Sequence, residues 1–309
     1  MKPYSEMTKE ELLELKRDLS DQYREFQGKN LTLDMSRGKP SAEQLDLSMG
    51  MMDVLNSTTD LRCSVGVDCR NYGVLDGIPE AKELLADMTE VSPDNIIIYG
   101  NSSLNVMYDT VARSMTHGVC GSTPWCKLDE VKFLCPVPGY DRHFAITEYF
   151  GIKMINIPMT GEGPDMDLVE KYVNNDESVK GIWCVPLYAN PSGESYSDET
   201  VRRFANLKPA AKDFRIYWDN AYCVHHLHPD HPDHVLDILS ECEKAGNPDM
   251  VYKFGSTSKI SFPGSGISAI ATSKANIDAL KKQMNVQMIS HDKINQLRHV
   301  RFFKDINGL

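Results

Sequence analysis

The sequence lacks three features, and each absence excludes a class of protein. Its 309 residues contain no uninterrupted apolar run of the length that a membrane span needs, so we predict no membrane partner. Lysine and arginine are not clustered and the formal net charge is -11, which argues against a nucleic-acid partner because phosphate binding needs concentrated positive charge. Eight cysteines are scattered without a C-x-x-C pair, which favours reduced thiols over a disulfide framework or a zinc site.

The N-terminal segment does not have the pattern of a signal peptide. "MKPYSEMTKEELLELKRDL" is a charged helical pattern, and we therefore expect a cytoplasmic protein. Apolar residues spaced near the helical period predict a helix over residues 5–28, with Ser5 and Thr8 as candidate N-caps.

The stretch "VHHLHPDHPDH", residues 224–234, concentrates histidine in one place. These side chains could bind a metal ion, but the two prolines and the aspartates among them are equally typical of an exposed loop, which lacks the rigid frame of a metal site. We expect a loop and no metal. The histidines are His225, His226, His228, His231 and His234.

Apolar runs alternate with amphipathic segments along the rest of the chain. This alternation predicts an α/β fold, a mostly parallel sheet with helices on both faces. The predicted strands are NIIIYG (95–100), VKFLCPV (131–137), KMINIPM (153–159), GIWCVPLY (181–188), FRIYWDNAY (214–222), MVYKFG (250–255) and SAIATS (268–273). The predicted helices lie near 78–89, 103–116, 141–150, 165–175, 198–212, 233–245 and 274–286.

Ligands of a parallel sheet bind beyond the carboxyl ends of its strands, so chemistry is expected in the turns that follow these runs. Lys259 in "STSK" has small neighbours, which would leave room for a phosphate; a solvated lysine after a strand explains it equally well. Asp219 ends "FRIYWD", where it can point into the ligand crevice or cap a helix. A pyridoxal phosphate enzyme needs such a lysine for its Schiff base and a carboxylate beside the ring nitrogen.

Three further turns offer residue types that suit the same cofactor. Asn190 in "NPSG" and Tyr222 in "DNAY" can donate to the ring 3-oxygen, and Tyr140 in "PGY" can stack on the ring, although a turn start and ordinary aromatic packing account for them too. "GNSS", residues 100–103, precedes a predicted helix whose free N–H groups and dipole favour an anion; an ordinary helix cap is the alternative.

In their order along the chain, these motifs resemble the class I aminotransferases of fold type I, which use pyridoxal 5'-phosphate (PLP). The ordered set is "YGVLDG", "GNSS", "PGY", "NPSG", "DNAY" and "STSK". More narrowly, "SRGKPSAEQLDLS", "RNYGVLDGIPEAK", "CPVPGYDRHF", "YWDNAYCVHHL" and "NQLRHVRFFKD" resemble the bacterial aspartate aminotransferases of type Ic. The resemblance covers essentially the whole chain and implies a fold-type I large domain, PLP and a homodimer.

The resemblance implies a role for each matched residue. Lys259 forms the Schiff base and then shuttles a proton between the substrate Cα and the cofactor, while Asp219 pairs with the pyridinium nitrogen. Asn190 and Tyr222 bind the 3-oxygen, and Tyr140 stacks on the ring. Candidates for the phosphate are Asn101, Ser102, Ser103, Ser256 and Ser258, with Tyr72 reaching the phosphate of the neighbouring subunit; Gly38 and Asn190 are expected near the substrate.

The implied activity is transfer of the amino group of L-aspartate or a similar amino acid to 2-oxoglutarate, so that the partners are small amino acids and 2-oxo acids. Another PLP reaction, such as β-elimination or decarboxylation, remains an alternative because the site selects the outcome. A non-catalytic PLP-binding effector module is the other alternative, against which the absence of a basic helix-turn-helix segment weighs.

The sequence departs from the family pattern at two places. Gly266 stands near the position where many relatives have an arginine that grips the phosphate, which places more weight on serines and backbone amides. The C-terminal small domain, with the arginine for the substrate α-carboxylate, is expected beyond Leu309, so a truncated, inactive fragment is a further alternative and Arg37 the first substitute ligand to consider. The expected organisation is an N-terminal helix and arm (1–45), a PLP-binding large domain (46–285) and the start of an interdomain helix (286–309).

Overall fold

The computed structural model describes residues 2–32, 38–228 and 230–309 and divides the chain into two units, Met1–Ser41 and Ala42–Leu309. In the first unit, helix α1 (Lys9–Gly28) begins with a capping box. Thr8 Oγ1 accepts from the backbone N–H of Glu11 at 3.2 Å, and the N–H of Thr8 donates to Glu11 Oε2 at 2.6 Å. The predicted N-terminal helix is confirmed, and Thr8 is its cap.

The second unit is built on a seven-stranded sheet in the order β1-β7-β6-β5-β4-β2-β3. β7 is antiparallel to both of its neighbours, while the other strands share one direction. Each apolar run predicted as a strand forms one, and the predicted α/β class is confirmed. The strands are β1 (Ile96–Tyr99), β2 (Lys132–Val137), β3 (Lys153–Pro158), β4 (Val179–Cys184), β5 (Arg215–Asp219), β6 (Val251–Ser256) and β7 (Ser268–Ala271).

Helices connect the strands. Two of them, α7 (Asp198–Ala205) and α8 (Ile238–Lys244), are shorter than predicted. α7 ends at Ala205 instead of near 212, because the ring of Pro209 would clash with the carbonyl four residues before it in a continued helix. α8 begins at Ile238 instead of 233, where the side chain of Asp237 accepts from the N–H of Ser240. The helices are α2 (Ala42–Asp46), α3 (Pro79–Thr89), α4 (Ser103–His117), α5 (Asp141–Tyr149), α6 (Met166–Val173), α7 (Asp198–Ala205), α8 (Ile238–Lys244), α9 (Lys274–Gln287) and α10 (Lys293–Phe303).

Alternate residues of the central strands enter two different cores, one on each face of the sheet. On one face, Ile216 and Trp218 of β5 pack with residues of α6, α7 and α8. On the other, Tyr217 packs with residues of α4, α5 and α9. A third cluster joins α3 and α10 to β1 and β7, with Leu297 fully buried. Helices therefore cover both faces, as predicted, and the chemistry is left to the edges of the sheet.

Among the described residues, none of the helices has the length and apolar content that crossing a membrane would require. Each of the eight cysteines is free. The boundaries at 45 and 285, and the assignment of 286–309 to an interdomain helix, stay predictions.

Candidate active site

The strands that share one direction end at one edge of the sheet, and the candidate residues follow them there. Asp219 is the last residue of β5, Ser256 is the last of β6, and Asn101 comes two residues after β1. Two contacts join the turns after β1 and β6. Ser258 Oγ donates to the carbonyl of Asn101 at 3.2 Å, and Asn101 Nδ2 donates to the carbonyl of Pro263 at 3.2 Å. Candidate phosphate residues from distant segments thus lie together.

This corner of the sheet has the donors that an anion needs. Ser256 Oγ and Ser258 Oγ lie 3.1 Å apart. Helix α4 starts beside them at Ser103, and the side chain of its N-cap, Ser102, makes no capping hydrogen bond. The first-turn N–H groups therefore lack a side-chain acceptor and add the positive end of the helix dipole. We call this set of serines, Asn101 and the start of α4 the phosphate corner.

Gly266 lies close against Thr257 and the turn that contains Lys259. A Cβ built on Gly266 would lie 2.8 Å from Thr257 Oγ1 and 3.3 Å from the carbonyl oxygen of Phe262. The next nearest atom, at 3.7 Å, is the backbone nitrogen of Ser258, which belongs to the phosphate corner. This backbone thus has no room for a side chain at 266 without displacement, which agrees with the glycine seen in the sequence.

Asp219 is held at one of its two oxygens. The residue is 4% exposed, and its Oδ2 lies 3.0 Å from Nε2 of His143, a fully buried residue of α5. The imidazole stacks on Trp183, with ring centroids 4.6 Å apart and planes 11° apart, and Trp183 Nε1 donates to Thr147 Oγ1 at 2.8 Å. The other oxygen, Oδ1, is buried and has no hydrogen-bond partner among the described residues.

Sequence reasoning did not identify His143. The available signal was its place in "PGYDRHF", three residues after Tyr140, which puts both near the start of α5. Their rings meet edge to face at 5.1 Å. Only the packing of α5 on the sheet shows that this histidine reaches the end of β5.

Two of the three remaining ring candidates, Tyr140 and Tyr222, lie near the same carboxylate. Burial raises the pKa of Tyr140, and the charge of Asp219 raises it further. Burial likewise raises the pKa of Tyr222, the negative charge of Asp219 adds to that rise, and a side-chain hydrogen bond with Asn190 opposes it. Tyr222 and Asn190, predicted to act on one oxygen, are therefore neighbours. Asn190 precedes a cis peptide bond to Pro191.

Lys259 lies in the turn after β6 and is exposed. Burial lowers the pKa of the His225 ring, and its interaction with the backbone of Lys259 opposes that effect. The same imidazole meets the ring of Tyr222 edge to face at 5.8 Å. One histidine of the "VHHLHPDHPDH" stretch, which forms a loop as expected, is thus directed into the candidate site.

These residues fit PLP in the chemistry of their donors and acceptors. A protonated ring nitrogen would supply the donor that the buried Oδ1 of Asp219 lacks. The phosphate corner has hydroxyl and N–H donors for the phosphate, and Lys259 supplies an amine for the aldehyde. Asn190 and Tyr222 offer donors for the 3-oxygen.

Three other residues considered at the sequence level have roles that are predictions only. Tyr72 is 77% exposed, and its side chain makes no hydrogen bond or ring contact within the part of the chain that the structure describes. Gly38 belongs to the unit of residues 1–41 and is exposed. Arg37 lies outside the described residues. The roles of Tyr72 and Gly38 stay predictions.

Comparison with known proteins decides the family. The sequence model of the family described as aspartate amino-transferase matches residues 7–309. This chain belongs to the aspartate aminotransferase family. It is 47% identical over 289 residues to a Mycolicibacterium smegmatis protein assigned as an aminotransferase, covering 93% of this chain and 67% of that protein. It is 43% identical over 293 residues to an aspartate aminotransferase of Corynebacterium glutamicum, covering 94% of this chain and 67% of that protein.

A solved structure agrees with this membership. The crystal structure of an aspartate transaminase from Corynebacterium glutamicum matches with a TM-score of 0.90 at 42% identity, covering 98% of this chain and 71% of that one. The chain is a PLP-dependent aminotransferase of fold type I, acting on small amino and 2-oxo acids. The predicted family, fold, enzyme class and cofactor are confirmed, while the roles of individual residues in this aminotransferase stay predictions.

Proposed function

We propose that this aminotransferase moves the amino group of L-aspartate, or of a closely similar amino acid, to 2-oxoglutarate. The name of the Corynebacterium glutamicum relative supports aspartate as donor. The observation that carries the assignment of the site is the buried, half-satisfied carboxylate of Asp219, whose Oδ2 is fixed by His143 while Oδ1 lacks a donor. A carboxylate left in that state is suited to a cationic N–H group.

The cofactor supplies an electron sink for the charge that develops when a proton leaves the substrate Cα. Lys259 would hold the cofactor aldehyde through its amine, and the same amine would accept the substrate Cα proton and return it. Asp219 stabilises a protonated ring nitrogen through Oδ1, and His143 keeps the carboxylate oriented. Asn190 and Tyr222 bind the 3-oxygen, with Asn190 also near the substrate, and Tyr140 covers the ring.

The phosphate corner anchors the cofactor. Ser256 and Ser258 donate hydroxyl hydrogens, Asn101 donates from its amide, and Ser102 and Ser103 present the first N–H groups of α4. Without an arginine at 266, neutral donors and the helix dipole offset the phosphate charge.

We further propose a cytoplasmic homodimer in which Tyr72 serves the phosphate of the partner subunit and Gly38 lies over the substrate. The exposure of the Tyr72 side chain supports the first role, because a residue that acts on a neighbouring subunit must point away from its own site. Eight free thiols support a reducing compartment.

The proposal is tested by following the two half-reactions separately on the PLP-loaded chain. L-Aspartate should change the visible absorbance of the loaded protein, and 2-oxoglutarate should restore it. Formation of pyruvate and ammonia from a β-substituted amino acid, without that reversible change, would instead indicate a lyase. Borohydride reduction followed by peptide mapping should place the pyridoxyl group on Lys259, and an adduct on a different lysine would sink the assignment of the site.

A further inference from the structure

Helix α10 presents polar side chains to the segment that follows β6, residues 257–266, here called the lysine segment because it includes the candidate catalytic lysine. Asn295 Nδ2 donates to the carbonyl of Gly266 at 2.8 Å. One turn later, Arg298 Nη2 donates to Ser265 Oγ at 2.7 Å. Residues three and four positions apart share one face of a helix, so this face of α10 is matched to the lysine segment.

His299, next on the same face, is fully buried. Its Nδ1 lies 2.8 Å from the carbonyl oxygen of Asn295, and its Nε2 lies 3.0 Å from Ser261 Oγ and 3.3 Å from Thr257 Oγ1. Since a carbonyl only accepts, Nδ1 carries the hydrogen and donates it. In the neutral ring, Nε2 is then an acceptor for the Ser261 hydroxyl.

The charge state agrees with this arrangement. Burial lowers the pKa of His299 to about 4, the backbone of Asn295 opposes that effect, and the charge of Arg298 adds to it. At neutral pH the ring is therefore uncharged, with one tautomer fixed by Asn295.

The two hydroxyl residues flank the lysine in the sequence. Thr257 precedes Lys259 by two positions, and Ser261 follows it by two. The carbonyl of Thr257 accepts from the N–H of Ile260 at 3.0 Å and from the N–H of Ser261 at 2.9 Å, which closes the turn. Ser261 Oγ also lies 3.0 Å from Thr257 Oγ1. A group that fixes both hydroxyls fixes the backbone from which Lys259 projects.

The same network reaches the phosphate corner. Thr257 Oγ1 accepts from the N–H of Ile267 at 3.0 Å, and it is the atom that a Cβ at Gly266 would meet first. The backbone nitrogen of Ser258 lies beside the same glycine. A shift of the Thr257 hydroxyl would therefore change both the lysine segment and the shape of the phosphate corner.

We propose that His299 is a positioning residue of this aminotransferase: as a neutral hydrogen-bond acceptor it fixes the lysine segment, and with it the direction of the Lys259 amine and the shape of the phosphate corner. The inference rests on the proposed role of Lys259. A histidine that only filled space would behave differently, because an aromatic ring of similar size would replace it without effect on the cofactor.

The test compares five variants with the wild-type chain, of which one is the double variant Ser261→Ala/His299→Phe. His299→Phe keeps a ring and removes the acceptor, Ser261→Ala removes the donor, and His299→Gln keeps an acceptor in a similar place. His117→Phe, at the exposed far end of α4, is the matched control. Apoproteins are titrated with PLP, the pH midpoint of the visible absorbance of the loaded proteins is measured, and circular dichroism verifies folding.

Loss of this one buried hydrogen bond should raise the dissociation constant of PLP by about tenfold in His299→Phe and in Ser261→Ala. The pH midpoint should shift in both, and the double variant should be no worse than either single one, since both remove the same interaction. His299→Gln should stay within about threefold of wild type, and His117→Phe should be unchanged.

A second readout needs no cofactor. In the apoprotein labelled with ¹⁵N-histidine, the shifts of His299 should be those of the neutral Nδ1–H tautomer from pH 5.5 to 8. An imidazolium at pH 7 overturns the proposal even if a variant fails to fold. So does wild-type PLP affinity and pH midpoint in folded Ser261→Ala or His299→Phe. If peptide mapping places the adduct away from Lys259, the proposed function fails first, which distinguishes that outcome from failure of the His299 role alone.

Discussion

Replacing Gly266 by alanine should weaken cofactor binding, because the new methyl group collides with an atom that cannot withdraw freely. The Cβ would lie 2.8 Å from Thr257 Oγ1, whereas ordinary contacts begin at 3.4 Å. Thr257 Oγ1 accepts from the N–H of Ile267 at 3.0 Å and lies 3.3 Å from His299 Nε2. Moving the hydroxyl would stretch these hydrogen bonds, and moving the glycine would displace the wall of the phosphate corner.

The size of the effect follows from the crowding. Forcing an extra methyl group into a well-packed place costs about 1–3 kcal/mol. If the strain is relieved by movement of the phosphate corner, that cost appears as weaker PLP binding, and the dissociation constant should rise by about 5- to 150-fold. If the strain is relieved instead by movement of the lysine segment, the visible absorbance of the loaded protein should change as well.

The same segment offers a matched control. A Cβ at Gly264 would meet nothing within 4 Å, and this residue does not need a left-handed backbone. Gly264→Ala should therefore bind PLP as the wild-type chain does. Both apoproteins are titrated with PLP and the absorbance of the complex is followed. Equal affinity of the Gly266 and Gly264 variants, with both folded, would refute the reasoning about the phosphate corner.

Three further predictions concern Asp219, Tyr72 and His299. Asp219→Ala should retain bound PLP yet lose about two to four powers of ten in kcat, because a buried charge partner worth about 3–5 kcal/mol is removed. Near-normal turnover would exclude the role of Asp219 beside the ring nitrogen. Mixing the Lys259→Ala and Tyr72→Phe homodimers under conditions of subunit exchange should restore activity through one competent site per heterodimer, and no gain despite verified exchange would indicate sites built within one chain. The pKa of His299 falls from 6.5 to about 4 on folding, so between these pH values the unfolded chain takes up a proton that the folded chain does not. The free energy of unfolding should therefore drop by about 3 kcal/mol as the pH falls from 6.5 to 4. His299→Gln, which does not titrate, should show a smaller drop in urea unfolding measured across that range, and an identical drop would contradict the assignment.

Local patterns were sufficient for the elements and for much of the candidate site. The α1 cap at Thr8 follows from a Thr and Glu three residues apart, because each side chain accepts from the backbone N–H of the other residue. Asp219 was predictable because it ends an apolar run, and the end of a parallel strand is where a polar side chain can leave the core. The length of α7 was predicted wrongly because a periodic pattern was extended through Pro209.

The two histidines that matter most to the geometry were not predictable in this way. His143 and Asp219 are 76 residues apart, and His299 and Ser261 are 38 apart. Each pair meets because a helix packs across strands, and no local period records which strand end a helix side chain will face. Burial then decides the chemistry: His143 is placed against a carboxylate, whereas His299 is placed among hydroxyls and remains neutral.

The one antiparallel strand has the largest consequence for the site. Because β7 runs opposite to its neighbours, it begins at the edge where β1 and β6 end, and Ser268 Oγ donates to the carbonyl of Gly100 at 2.7 Å. The chain therefore stays at the active-site edge between β6 and β7, and the lysine segment brings Gly266 against Thr257. A wholly parallel sheet would require a long crossover at this point and would carry residue 266 away from the phosphate corner. The close approach of Gly266 to Thr257, and the network that we assign to His299, both depend on this short connection between β6 and β7.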